Sequence, residues 1–292
     1  MISIPNQKCL LCGSEKSECY KTIESFGHPV SYYLCQDCGF VYQNEAETIA
    51  KDESFYEENY RTLYQDSEEP TAKDLRQQTL RALDQAKFLR ANHFAPKNVL
   101  DIGASTGLLL ETFREEFGAE VTGVEPGNAY RATAEKRDIQ MFSSLESLRE
   151  TNREGFDLVT MMHVLEHLPD PLATLREIRQ ELLTSNGALL IEVPNFYAHD
   201  SFELAHLSCF TPHSLKEILR LAGYEVKAFR KHGHPRSKTL DLYIGALARP
   251  IITENEPTPA RHECCVPLKR NLAMLWRKVI TRLRPKDSWL GA

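Results

Sequence analysis

Asn98-Val-Leu-Asp-Ile102-Gly103-Ala-Ser-Thr-Gly107 is the stretch on which the fold turns. Its first half is an apolar run of strand length, and a glycine-bearing loop follows it directly. Residues 108–117 then read as a helix. The alternation continues downstream. Residues 119–124 read as the next strand, with 128–137 as its helix. Residues 139–142 are a weak third strand and 156–162 a fourth. Asp170-Pro171 opens a helix, with Asp as N-cap and Pro at the first turn. Leu172, Leu175, Ile178 and Leu182 give its apolar face. Residues 188–193 form the fifth strand. Thr211-Pro212 opens another helix, which Gly223 closes. Residues 224–229 and 240–248 are two last strands with no helix between them, an antiparallel hairpin at the sheet edge. Strands alternating with helices predict an α/β fold, a doubly wound, seven-stranded, mostly parallel sheet with helices on both faces. The apolar strands agree, because both faces of such a sheet are covered.

The chain has 292 residues, 42% hydrophobic and 26% charged, ordinary for a globular protein. That length predicts a full catalytic domain plus something smaller. The formal charge of −6 lacks the basic excess of a protein that grips duplex nucleic acid. No apolar run reaches the ~20 residues that span a bilayer. Met1–Pro5 has neither a charged start nor an apolar stretch, so the expected location is cytoplasmic. Four segments are expected: residues 1–45 as a ribbon built on cysteines, 46–95 as a helical linker and cofactor lid, 96–248 as the catalytic domain, and 249–292 as a linker and C-terminal amphipathic helix.

The loop after the first strand has Gly103 and Gly107, but Ser105 stands where a dinucleotide fingerprint wants its middle glycine. A pyrophosphate cradle fits poorly; a ligand without phosphates fits better. Residues 99–107 closely resemble the first motif of class I S-adenosylmethionine-dependent methyltransferases. Val124-Glu125-Pro-Gly127 and Met162-His163-Val-Leu-Glu166-His167-Leu-Pro169 resemble two further segments of that family, in the same order and spacing. The resemblance covers about residues 96–248 and implies a Rossmann-like methyltransferase fold with S-adenosyl-L-methionine as cofactor.

The resemblance assigns cofactor contacts to Asp101, Gly103, Ser105, Gly107 and Glu125, and to His163 after the fourth strand. Glu125 would accept from both ribose hydroxyls, a role suited to a carboxylate. Many relatives carry an acid after the third strand for the adenine amino group. Here that stretch is Phe142-Ser-Ser-Leu145, and Ser144 is the candidate substitute. Phe55-Tyr56-Glu-Glu-Asn-Tyr60 resembles an aromatic segment that covers the cofactor, which adds Tyr56 and Tyr60.

Methyl transfer from a sulfonium is an in-line displacement from an activated donor, so proximity and orientation carry much of the rate. A base is needed only where the acceptor loses a proton, and histidine is the usual one near neutrality. His163 and His206 are the catalytic candidates, ahead of His167 and His199. The segment around His206, His206-Leu-Ser-Cys-Phe-Thr-Pro-His213, resembles one in which the first histidine faces the active site. The Asn/Asp-Pro-Pro-aromatic motif of nucleic-acid amino methyltransferases does not occur after the fourth strand.

Eight cysteines include two C-x-x-C pairs, Cys9/Cys12 and Cys35/Cys38. Four thiolates suit a closed, structural zinc site. A zinc module ahead of a methyltransferase fold is similar to the deoxysugar C-methyltransferases, which points to a sugar or sugar nucleotide as acceptor. The reading in front is therefore methyl transfer to a small molecule. The alternatives are an RNA or protein methyltransferase that grips a polymer with its zinc module, and a non-catalytic binding module of the same fold. Residues 272–283 have helical apolar spacing with basic neighbours, expected to pack back or meet a partner, with peripheral contact to a membrane surface as the alternative. The oligomeric state is left open.

Overall fold

The computed structural model describes residues 8–43, 69–151, 155–251 and 258–290. Helix α1 (Ala72–Ala91) starts at a reciprocal cap between Thr71 and Asp74. Then come β4 (Asn98–Ile102), α2 (Leu108–Phe117), β5 (Glu120–Val124), α3 (Asn128–Glu135), β6 (Gln140–Phe142), α4 (Leu145–Thr151) and β7 (Phe156–Met162). A short helical turn, Leu165–His167, leads to α5 (Pro171–Glu177), whose Asp170 cap is as expected. A wider turn over Ile178–Leu182 feeds β8 (Leu183–Pro194). After it come β9 (Ser208–Cys209), α6 (Pro212–Leu221), β10 (Tyr224–His232) and β11 (Tyr243–Pro250).

The main sheet has seven strands in the order β10-β11-β8-β7-β4-β5-β6. β4 to β8 pair in parallel, whereas β11 pairs antiparallel with both β8 and β10. The expected hairpin is therefore present, with β11 inserted between β8 and β10. One face is covered by α1 and α2, where Ala82, Ala86, Leu89, Leu110 and Phe113 close over Val99, Leu158 and Leu190. The other is covered by α5 and α6, with Leu175, Ile178, Leu215 and Ile218 packed on Val159, Ile191 and Ile244.

The N-terminal residues add a second sheet from β1 (Ser17–Ser25), β2 (His28–Cys35) and β3 (Val41–Gln43). Its fourth strand is β9, from the middle of the catalytic segment, with Val41 opposite Cys209 and Tyr42 opposite Ser208. Cys9, Cys35, Cys38 and Phe40 belong to the same apolar cluster as Leu175 and Phe210. The ribbon is thus docked through shared core and shared hydrogen bonds.

Helix α7 (Val266–Leu283) and the short α8 (Pro285–Ser288) close the described chain. α7 packs back, but not through the leucines its sequence offers. Arg270 is buried and donates to the carbonyls of Phe196 and His199, while Arg277 reaches Ala198 O and Asp200. Leu268, Leu272, Leu275, Trp276 and Leu283 stay 58–72% exposed. Among the described residues, no helix is long and apolar enough to cross a membrane.

Candidate active site

β4 and β5 end side by side, with Ile102 opposite Val124, so the loops after them leave the sheet together at its carboxyl edge. Gly103, Ser105 and Gly107 all have left-handed φ, at 77°, 52° and 76°. A Cβ on Gly103 would lie 2.4 Å from Val164 Cγ2, and one on Gly107 2.9 Å from Ala134 Cβ. Both positions thus need glycine for close approach as well as for the turn. Glu125, buried at the end of β5, accepts from Ser105 N at 2.9 Å and Gly127 N at 3.0 Å. These two bonds fix the plane of its carboxylate between the two loops. Behind it, Asp101 is buried and accepts from Thr160 Oγ1 at 2.6 Å. Burial pushes the Asp101 carboxyl up to about 7; the Thr160 hydroxyl opposes the rise and the Glu125 charge adds to it.

A polar hub lies beside this loop. Glu192, fully buried in β8, accepts from Gln85 Nε2 at 2.5 Å. His163 Nε2 stands 3.1 Å and Arg81 Nε 3.2 Å from one of its oxygens, and His232 Nε2 3.0 Å from the other. Burial disfavours its charge, yet these partners hold the carboxyl well below the usual carboxylate range. His163 has a left-handed φ of 58°, and its backbone N–H donates to Glu192 O at 2.8 Å. Its ring stands edge-on to Tyr243 at 5.0 Å, with His199 and His232 around the same ring.

The remaining histidines converge on the segment before β9. His206 Nε2 is 2.6 Å from Glu203 Oε1, and His167 Nδ1 is 2.8 Å from Ala205 O. The His167 and His206 rings lie 5.0 Å apart. Burial works against a charge on His206, but the Glu203 carboxylate raises its pKa above the ordinary histidine value. Burial pushes His167 down to about 4 and His199 down to about 3. His199 Nδ1 is buried without a hydrogen-bond partner among the described residues.

Ribbon residues hold this segment in place. Tyr32 Oη donates to Glu203 O at 2.7 Å, and Gln43 Nε2 to His206 O at 2.8 Å and Glu203 O at 2.9 Å. The cysteines stand at the far end of the same sheet. Cys9 Sγ lies 3.6 Å from Cys38 Sγ, and Cys12 Sγ 3.5 Å from Cys35 Sγ. All four sulfurs fall within 4.8 Å of one another.

The expected residues therefore gather as two groups. Asp101, Gly103, Ser105, Gly107 and Glu125 form the loop group, and His163, His167, His199 and His206 form the histidine group, joined to it where Val164 meets Gly103. Ser144 stands before α4, where its hydroxyl is the acceptor for Ser147 N at 3.2 Å and so caps that helix. Tyr56 and Tyr60 lie outside the described residues. Sequence reading misses Glu192, Glu203, Tyr32 and Gln43. A lone carboxylate inside Ala188-Leu-Leu-Ile-Glu-Val193 is the one signal that was there to find.

The family model described as a methyltransferase domain matches residues 73–228. The ubiquinone biosynthesis O-methyltransferase of Aliivibrio fischeri (strain MJ11) is 36% identical over 93 residues, 30% of this chain and 39% of that protein. The enzyme of the same name from Histophilus somni (strain 2336) is 35% identical over 117 residues, 36% of this chain and 48% of that protein. The matches thus span less than half the length of these relatives. Among solved structures, the CcbJ methyltransferase from Streptomyces caelestis aligns with a TM-score of 0.49 at 16% identity, over 68% of this chain and 99% of that one. The methyltransferase domain of bacterial CtHen1-C aligns at 0.47 and 19% identity, over 59% and 98%. With a family match over more than half of its length, the chain belongs to the methyltransferase-domain family.

Proposed function

We propose that the protein transfers the methyl group of S-adenosylmethionine to a hydroxyl oxygen of a small-molecule acceptor. The observation that carries the cofactor half is the Glu125 carboxylate, held in a fixed plane by Ser105 N and Gly127 N beside a loop whose glycines leave no room for a Cβ. Glu125 takes the ribose hydroxyls, and the Gly103–Gly107 loop passes beneath the methionine part. Ser144, Tyr56 and Tyr60 complete the adenine and lid contacts in this reading. When bound, the cofactor supplies a methyl on a sulfonium whose departure leaves a neutral thioether.

The residues of the chain then orient the acceptor. Glu192 fixes the His163 ring, and Glu203 fixes His206. His199 offers its Nδ1 to an acceptor hydroxyl, because that atom is buried with no hydrogen-bond partner among the described residues. A buried histidine cluster suits a compact acceptor more than a polymer. The relatives named O-methyltransferases support oxygen as the methylated atom. The carbohydrate acceptor rests on the zinc-module resemblance alone, and the described site adds no feature of its own for it.

The cysteines fit zinc. Four thiolates at about 2.3 Å from a tetrahedral ion stand about 3.8 Å apart, close to the observed 3.5 and 3.6 Å pairs. Cys9, Cys12, Cys35 and Cys38 would hold it with no open position, so its work is structural.

The test is methyl transfer from labelled S-adenosylmethionine to a panel of phenols, catechols and sugars, with total RNA and protein as parallel acceptors. Labelled ether products in the small-molecule fraction are expected. Label confined to RNA or protein would overturn the acceptor class. In the same preparation Glu125→Ala should weaken cofactor binding by at least about tenfold, the worth of one charge-assisted contact. Unchanged affinity would overturn the ribose assignment.

A further inference from the structure

One cluster on the acceptor side is unexplained by methyl transfer from a sulfonium. Glu166 is buried, at 1% exposure, and neither of its oxygens has a hydrogen-bond partner among the described residues. The nearest cationic or imidazole groups are His163 Nδ1 at 3.5 Å and His167 Nε2 at 4.0 Å. A buried carboxylate left in that state costs the full desolvation of its lone pairs. Such a group is normally paired or bound to a metal.

The two imidazoles beside it are set as metal-binding histidines are. His167 Nδ1 lies 2.8 Å from Ala205 O, and His206 Nδ1 lies 3.2 Å from Ser201 O. A carbonyl only accepts, so Nδ1 carries a proton in each ring. His167 keeps its lone pair on Nε2, whereas His206 Nε2 faces a second acceptor, Glu203 Oε1 at 2.6 Å, so that ring is doubly protonated and gives up its Nε2 proton when a cation binds. A backbone carbonyl on the far nitrogen is the usual way a protein fixes the tautomer and aim of a ligating histidine. Both Nε2 atoms face the carboxylates: His167 Nε2 toward Glu166, and His206 Nε2 against Glu203 at 2.6 Å. Ligand atoms of Glu166, His167 and His206 all lie within 4.8 Å of one another. Charge adds a separate argument. Two carboxylates, one imidazolium and one neutral imidazole sum to −1; loss of the His206 Nε2 proton on binding brings the set to −2, which one divalent cation cancels.

We propose that Glu166, His167 and His206, with Glu203 beside them, form a binding site for one divalent first-row cation, distinct from the cysteine cluster. Two imidazoles and two carboxylates suit Mn²⁺, Fe²⁺, Co²⁺ or Zn²⁺ better than the all-oxygen sets that Ca²⁺ and Mg²⁺ prefer. The site stands next to the cofactor loop, since Val164, two residues before Glu166, packs on Gly103. Resting on the reading of the reaction above, the cation's open positions take an oxygen of the acceptor, hold it for in-line attack and favour its deprotonated form. Acceptors with two adjacent oxygens gain most.

The test uses the full chain carrying its zinc, freed of loosely held metal, and titrated with Mn²⁺ while free ion is counted by paramagnetic resonance; a Co²⁺ titration followed by visible absorption runs in parallel. One saturable equivalent per chain is expected, with a rise in melting temperature. Glu166→Gln and His206→Gln should weaken binding by at least about tenfold and lose the thermal rise, while keeping the melting cooperativity of the untreated protein. No saturable binding of either ion below about 1 mM, roughly 4 kcal/mol of affinity, overturns the site, whatever the variants do. So does an equivalent that survives in both variants. His206→Asn stands in if His206→Gln fails to fold. Cofactor binding is measured without added metal, so its failure counts against the methyltransferase reading alone.

Discussion

Asp101 carries a load that its neighbours set. It sits in the strand beneath the cofactor loop, and burial together with the Glu125 charge pushes its carboxyl up to about 7 against an ordinary value of 3.8. A raised folded-state pKa means that the folded chain holds the proton more tightly than the unfolded one. The associated stability is fully present below about 3.8 and is lost as pH rises through about 7. Asn mimics the protonated form. Asp101→Asn should therefore gain on the natural chain steadily from about pH 4 to about pH 7 and hold a constant lead above, in cofactor-free denaturant melts at each pH. A pH-independent difference would show that the carboxyl is unperturbed. At this scale, what the sequence discloses is what is local. Glu125 reads out because its partners Ser105 and Gly127 lie within about 20 positions along the chain, and Gly103 and Gly107 because a left-handed turn is a local property. Glu192 does not, because Arg81 and Gln85 of α1, His163 after β7 and His232 of β10 come from three places and only the folded chain joins them. Ser144 carries a local signal too: a serine before Leu145–Thr151 caps that helix, accepting from Ser147 N.

Among elements, the legible ones are long and periodic. The parallel strands and the capped helices α5 and α6 fall close to where the sequence puts them, because caps and apolar runs are local signals. β9 has only two residues and no signal of its own, yet it joins the ribbon to the His206 segment. α7 is legible as a helix but misleads about its buried side. Its amphipathic pattern predicts burial of leucines, whereas the loop carbonyls of Phe196 and His199 capture Arg270 and turn the helix over. β2 and β3 carry a prediction of their own. Gln43, 2% exposed, spends both amide hydrogens on the carbonyls of Glu203 and His206. Gln43→Leu should take the amide donor from His206 O and leave Glu203 O with Tyr32 Oη, cost about 1–3 kcal/mol of stability, and lower turnover several-fold with cofactor affinity nearly unchanged. Calorimetry with S-adenosylmethionine beside a turnover assay checks this. A loss of cofactor affinity equal to the loss of turnover would show a general collapse in place of a displaced loop.

In the whole molecule, the ribbon and the catalytic sheet share one apolar cluster, from Cys9 and Phe40 to Leu175 and Phe210. The sequence, read in segments, is silent on how the ribbon meets the rest; the shared core and the β3–β9 pairing join them. On the proposed zinc site, treatment with a strong chelator should therefore do more than loosen the N-terminus. Turnover should fall with the rise in protease sensitivity around the ribbon, and re-added Zn²⁺ should restore both. Full activity in a zinc-free chain would sever that connection.

The shared strand has a thermodynamic corollary. The two proposed ligands, zinc on the cysteines and an acceptor against Glu203 and His206, would order the same segment, and the coupling between them would be reciprocal. Whatever factor zinc lends to the affinity for an acceptor, the acceptor returns to the affinity for zinc.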